Sequence, residues 1–459
     1  MPQVEAYGVE PIPEELRTVG WRDLFAINFT FFLNPVMYVL GALAVVDGGL
    51  PLWWAVAATV LGQALAYALL ILFAQAGVDY GLPGQVAMRA TLGFWGARAL
   101  SSPYRMIAAT YWFAAQALAG SLGIQAVVVA LGGDKPPLVP VALGLAVFHA
   151  TLAVLGFDVM RYVLRVVLPI SLAFTGVLLA LYLNTDDRRF GVSRVFHSRD
   201  QHLTWGGFAM YVTVMAGASL TLVPSIADFC RYTPTRRDMR IGLFASATLA
   251  VLVTTVVGGW AAAATGELNP FIAVADLTNV RALLVLLVVA IVVQGIAANI
   301  TNVYTAGLSL VNAVPPLGRL RSTLLVAAAA IGLSAFPDFI EEAQTWINHL
   351  GNLGAPLAGV VLADYVFLKH ARLDPPALFD PDGRYRYVNG VNVAAVAAIA
   401  IGVGVYYTLP QEWLKVAWGV VVGGLAYLVL VRLQDALLAG DRYTAASTVA
   451  SSQRSSSPS

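Results

Sequence analysis

The chain has 459 residues, of which 59% are hydrophobic and only 12% charged, with a formal net charge of +1. Apolar runs of this density are too long for a soluble core, and a charge so near zero argues against a nucleic-acid partner, so the composition indicates a polytopic membrane protein. The single cysteine, Cys230, excludes an intramolecular disulfide.

A spanning helix needs about 20 mostly apolar residues. By that criterion twelve spans are expected, at roughly 24–46, 51–77, 103–132, 136–156, 159–183, 204–228, 240–264, 281–313, 321–336, 350–368, 389–409 and 413–433. Residues 1–22 read as a polar arm with no cleavable signal pattern, since they carry Glu5, Glu10, Glu14, Glu15 and Arg17. Residues 436–459 are rich in Ser and Ala and are expected to be a disordered tail. Cations gather in alternate connections: Arg89 and Arg98, Arg161 and Arg165, Arg231 to Arg240, Arg319 and Arg321, and Lys369 to Arg386. The positive-inside rule then puts these connections and both termini in the cytoplasm. The connection 184–203 departs from the pattern, with Arg188, Arg189, Arg194 and Arg199 beside three aspartates.

The first span, AINFTFFLNPVMYVLGALA, contains Asn28, Asn34 and Pro35. Proline obstructs the helical hydrogen bonds one turn before it, so a kink or a break is expected there. The connection that follows the second span carries Arg89, Arg98 and Arg105 and reads as cytoplasmic, ending in an interfacial helix. The third span places Trp112 and Gln116 four residues apart, on one helix face. A ring to stack on and an amide to hydrogen-bond suit a flat polar heterocycle, although Trp112 as lipid-facing bulk and Gln116 as a helix-to-helix link fit the spacing equally well. Asp158 and Arg161 read as a solvated ion pair at the membrane edge. The sixth span repeats the peculiarity of the first, with Gly217, Ala218 and Ser219 followed by Pro224. Interrupted segments five spans apart point to an inverted-repeat transporter with its site between two broken helices.

The eighth span crowds Gln294, Asn299, Thr301 and Asn302 into one stretch, which makes it either helix-to-helix glue or a site wall. No acid or base is expected at mid-depth in the first, third, sixth or eighth spans. Asp228 and Asp364 lie at membrane edges, as proton carriers or as structural partners of Arg231 and Lys369. The stretch FPDFIEEAQTWINHLG, with Pro337, Asp338, Glu341 and Glu342, is the expected moving gate. The five histidines, His149, His197, His202, His349 and His370, show no ligand spacing, so neither a metal site nor an intramembrane enzyme is expected.

FTFFLNPV, the YW with Gln116 four residues after the Trp, IADFCRYTPTRRD, AANITN and HLGNLGAPLAGVVLADYVF resemble segments of the nucleobase-cation symporter family, which includes cytosine permeases and hydantoin transporters. GVEPIPEELRTVGWRDLF and RATLGFWGAR extend the resemblance from about residue 8 to about residue 435. It implies an all-α, leucine-transporter-like fold of about twelve helices: a five-plus-five inverted repeat over 23–183 and 204–368, then two extra helices over 389–435. It also implies a substrate site with Trp112 as stacking platform, Gln116 and Asn299 as hydrogen-bond partners, Gly217 and Thr221 on the sixth helix, and Phe32 and Asn34 at the broken first helix.

Two departures from the family qualify that site. Hydantoin-type members place a second Trp on the sixth helix, where this chain has Gly217, Ala218 and Ser219, so a second aromatic face would come from Phe31, Phe32 or Tyr38. Sodium-coupled members carry two hydroxyl side chains at the positions of Ala297 and Ala298. A cation site from Asn28, Phe32, Gln294, Ala297 and Ala298 would therefore lack oxygen ligands, which favours proton over sodium coupling. The expected protein is a secondary importer of a cytosine- or purine-type nucleobase by cation symport, with an allantoin, hydantoin or hydroxymethylpyrimidine carrier as the alternative. No cofactor beyond the coupling ion is expected. The setting would be the plasma membrane, and the working unit a monomer.

Overall fold

The computed structural model describes residues 7–154, 157–196, 202–338 and 343–455, with side chains described for all of these except 157–161, 343, 344, 411 and 438–455. The described chain is helical apart from turns and one isolated bridge, Val388 to Val391.

The first span is two helices, α1 (Trp21–Phe32) and α2 (Pro35–Val46), bent by 57° at the break. Asn34 explains why the break is tolerated. Its Nδ2 donates to the Phe31 carbonyl at 2.5 Å and its Oδ1 accepts from the Met37 amide at 2.9 Å, so one side chain serves the backbone on both sides. Pro35 at the first position of α2 has no N–H to satisfy.

The main helices of the next four spans are α3 (Leu52–Phe73), α4 (Ser102–Ala130), α5 (Leu138–Ala153) and α6 (Phe157–Asn184). The sixth span is again divided, into α7 (Trp205–Leu220) and α8 (Ile226–Cys230), separated by a five-residue turn before and around Pro224. The main helices that follow are α9 (Ser246–Thr265), α10 (Arg281–Ala313), α11 (Gly318–Leu333), α12 (Ala343–Val361), α13 (Val393–Thr408) and α14 (Lys415–Ser455). Among the described residues, eight helical segments are long and apolar enough to cross a membrane, and the bent α1–α2 pair makes a ninth. With the shorter apolar helices α5, α7 and α13, the twelve expected segments all have a counterpart.

Small residues bring the helices together where lipid gives no hydrophobic drive. A Cβ on Gly258 of α9 would fall 2.0 Å from the Tyr38 carbonyl, and one on Gly41 of α2 would fall 2.5 Å from the Thr255 Cα, so α2 and α9 cross with their backbones in contact. Beyond α12, Asp364 gathers a second set of elements. It accepts from Thr91 Oγ1 and the Tyr427 hydroxyl, each at 2.7 Å, and pairs with Lys369, whose ammonium also donates to the Ala90 carbonyl at 2.9 Å. Of the two readings open for Asp364, the structural one has its partners in place.

Some expectations differ from this structure or fall outside it. Helix α14 continues to Ser455, whereas disorder was expected from residue 436, because Ala-rich sequence extends an existing helix without a new nucleus. The side chains of Asp158 and Arg161, and residues 339–342 of the gate stretch including Glu341 and Glu342, lie outside the described residues.

Removing a partner from a buried ion pair costs about 3–5 kcal/mol, against about 0–1 kcal/mol for an exposed pair. Asp364→Ala should therefore lower the thermal midpoint of the detergent-solubilised protein by several degrees. Asp382→Ala, which breaks the exposed Asp382–Arg386 pair, should leave it nearly unchanged in the same melting assay.

Candidate functional site

The two helix breaks face one cavity. The first span contributes Phe31, Phe32, Asn34 and Met37, and the α7 break contributes Ala218, Thr221 and Leu222. The walls are Trp112 and Gln116 of α4 and Ala298 and Asn302 of α10. The space between these residues is narrow, and every lining residue is buried. A ring held here would be out of contact with water, so loading and release require one part of the bundle to move against another.

Trp112 presents a ring braced edge-on by Tyr111, with centroids 5.4 Å apart. Phe31 and Phe32, in edge contact at 4.9 Å, supply the aromatic surface that the sixth helix lacks. Tyr38, the third candidate for that face, points elsewhere: its hydroxyl meets Thr175 Oγ1 and Gln294 Nε2, each at 3.1 Å. Gln116 Oε1 accepts the Val36 amide hydrogen at 3.2 Å, which ties α4 to the first turn of α2. Gln116 thus both links α4 to a neighbouring helix and walls the cavity. Thr221 Oγ1 donates to the Ala218 carbonyl at 2.6 Å.

Trp112, Gln116, Thr221, Phe32 and Asn34 are therefore brought together, and Gly217 and Asn299 are not on the lining. Gly217 lies against Gly351 of α12, where an added Cβ would fall 3.2 Å from the Gly351 Cα, and its neighbour Ala218 takes the cavity position. Asn299 is fully buried with its Nδ2 2.9 Å from His149 Nδ1, and Asn302 stands on the lining in its place. The expected cation ligands are also dispersed. Asn28 donates to the Leu243 carbonyl and Ser246 Oγ and accepts from the Tyr67 hydroxyl, so it faces α3 and α9. Gln294 turns to Tyr38, Ser171 and Thr175. Ala297 is buried with its carbonyl accepting from Thr301 at 2.8 Å, and only Ala298 and Phe32 of that set reach the cavity.

Two residues near the site were not anticipated. Arg105, read with the cytoplasmic connection, is fully buried in the first turn of α4 and donates to Asn302 and Thr305 of α10. The signal for it was its spacing: seven residues before Trp112 is two helical turns, hence the same face. His149 of α5 orients Asn299 and bonds the Val292 carbonyl at 2.9 Å. As a lone polar ring in an apolar span it required a partner, which the sequence does not name. Among the described residues no group of three His, Cys, Asp or Glu side chains could hold a metal ion.

Comparison with known proteins identifies the family and the fold. Residues 11–430 match the family model of permeases for cytosine and purines, uracil, thiamine and allantoin. The allantoin permease of Bacillus subtilis (strain 168) is 26% identical, over 92% of this chain and 92% of its own length. The purine-uracil permease of Arabidopsis thaliana is also 26% identical, over 86% of this chain and 69% of its own. Among solved structures, the nucleobase-cation-symport-1 family transporter Mhp1, closed with bromovinylhydantoin bound, superposes with a TM-score of 0.80 at 19% identity, over 94% of this chain and 96% of that one. The fold is thus the leucine-transporter-like five-plus-five arrangement with two added helices, set in a membrane. With its family match running through nearly all of the helical bundle, the chain belongs to the nucleobase-cation symporters, the permeases for cytosine and purines, uracil, thiamine and allantoin.

Proposed function

We propose that the protein imports a nucleobase or related nitrogen heterocycle by cation symport, holding the ring against Trp112 at the junction of the two helix breaks. The observation that carries this reading is the cavity itself, a buried space with an indole on one side, Phe31 and Phe32 at the break, and the amides of Gln116 and Asn302 on its walls. Substrate would enter from outside, be enclosed between α1–α2, α4, α7 and α10, and leave when one bundle rocks against the other. In this reading both termini are cytoplasmic, the membrane is the plasma membrane and a monomer suffices. The curated relatives act on allantoin or on purines and uracil by name, which supports the class of ligand. Uptake of labelled cytosine, uracil, hypoxanthine, allantoin and hydroxymethylpyrimidine into proteoliposomes is the direct test, and uptake of none of them would reject the reading.

We assign the coupling ion as a proton. A hard cation such as sodium wants several oxygen ligands. Ala297 and Ala298 offer methyl groups, and Asn28 and Gln294 are held in separate clusters away from the cavity. Uptake into proteoliposomes should rise with an imposed inward proton gradient and ignore a sodium gradient at fixed pH. A clear rise with sodium would reverse the assignment.

Stacking of a base on an aromatic is worth about 1–3 kcal/mol, or roughly 5- to 150-fold in affinity. Trp112→Ala should weaken substrate binding by that order while the protein still inserts, and Trp112→Phe should recover part of it. Parental affinity in both variants, measured by competition binding, would show that Trp112 is only bulk.

A further inference from the structure

The geometry points to a site that selects rings with carbonyl acceptors along one edge, cyclic imides and ureides, over rings with an exocyclic amine, and to Arg105 as the positioning residue that enforces the choice. This rests on the transport reading above and concerns which heterocycle the same site takes.

The argument turns on which end of each amide is free. Arg105 Nη2 lies 3.1 Å from Asn302 Oδ1, and Arg105 also holds Thr305 Oγ1, from Nε at 3.2 Å and Nη2 at 2.8 Å. A guanidinium has donors only, so the Asn302 atom it meets must be the carbonyl oxygen. The orientation of that amide, usually a matter of assignment, is here dictated by its partner. Among the described residues the Asn302 side chain is engaged through its oxygen, and its Nδ2 end belongs to a residue that lines the cavity. Gln116 is held by the same logic. A backbone amide can only donate, so the atom facing Val36 N is Oε1, and Nε2 is the free end.

The other lining polar groups complete the pattern. Both ends of the Asn34 amide are engaged by the backbone around the break. Thr221 gives its hydroxyl proton to the Ala218 carbonyl and keeps oxygen lone pairs that can accept. The lining amides and the Thr221 hydroxyl thus offer two N–H donors and one acceptor. A cyclic imide edge, C=O then N–H then C=O, is the complement of that set. Replacing one carbonyl by an amine, as in going from uracil to cytosine, turns an acceptor into a donor and the ring N–H into an acceptor. Two of three positions are then mismatched, and a buried donor left unpaired weakens binding by roughly 5- to 150-fold.

Arg105 could be no more than a link between α4 and α10, so the test reads a ratio rather than an affinity. In proteoliposomes containing the full chain, competition by unlabelled uracil, hydantoin and cytosine is measured against labelled uracil and labelled cytosine. The parental protein should favour uracil and hydantoin over cytosine by 5-fold or more. Arg105→Met frees the Asn302 amide to turn over and should bring the ratio toward one, whereas a purely structural role would weaken all three rings alike. Asn302→Asp keeps an oxygen for Arg105 but puts a second oxygen at the cavity, and should shift the ratio toward cytosine even if Arg105→Met fails to fold. Equal or better binding of cytosine by the parent would overturn this inference and leave the transport reading standing. A parental preference that persists unchanged in Asn302→Asp would overturn the role of the locked amide. Failure of the parent to take up any of the rings tested for transport would remove the transport reading, and this inference with it.

Discussion

The structure depends on a constraint of the lipid phase: backbone polar groups in a membrane must find partners inside the protein, so a helix can break at mid-depth only where side chains replace the lost bonds. Asn34 does this for the first span, taking the Phe31 carbonyl and the Met37 amide together. Gln116, from α4, takes the Val36 amide on the far side of Pro35. The break is therefore held partly by a residue that also walls the cavity.

The cavity sits among elements of unequal rigidity. On one side, α2 and α9 cross with backbones touching at Gly41 and Gly258, which leaves no slack between them. Near the end of the tenth span, Asp364 collects Thr91, Tyr427 and Lys369. Around the cavity itself the chain is interrupted twice, and the halves α1 and α8 are short or angled away from their partners. Movement that opens a buried site is most readily absorbed at such interruptions, where few dihedrals carry the change.

Polar side chains in the spans fall into two kinds. Asn28 with Tyr67 and Ser246, and Gln294 with Tyr38 and Thr175, join neighbouring helices and do not reach the cavity. Gln116 and Asn302 spend one end on the protein and keep the other on the cavity wall. Residue type does not separate the two kinds, since both are carboxamides on apolar helices. The partner does: a donor-only group, the Val36 amide or the Arg105 guanidinium, takes the oxygen and turns the nitrogen outward.

What the sequence by itself determined follows from local covalent chemistry and composition. Pro35 after Asn34 and Pro224 after a run of small residues forbade continuous helices there. The four-residue spacing of Trp112 and Gln116 put both on one face, and apolar length set the twelve segments. What only the tertiary structure decided was direction around helices that are enclosed on several sides. In α10 a hydrophobic stripe gives no contrast, because neighbours cover Asn299 and Asn302 alike. The packing of α5 drew Asn299 to His149, and the packing of α4 drew Asn302 to Arg105. Gly217 was likewise taken by a close crossing with Gly351, which left Ala218 and Thr221 to the cavity. Arg105 itself could be read as an interfacial cation because sequence shows the cost of burying a charge, and only the fold supplies the partners that offset it.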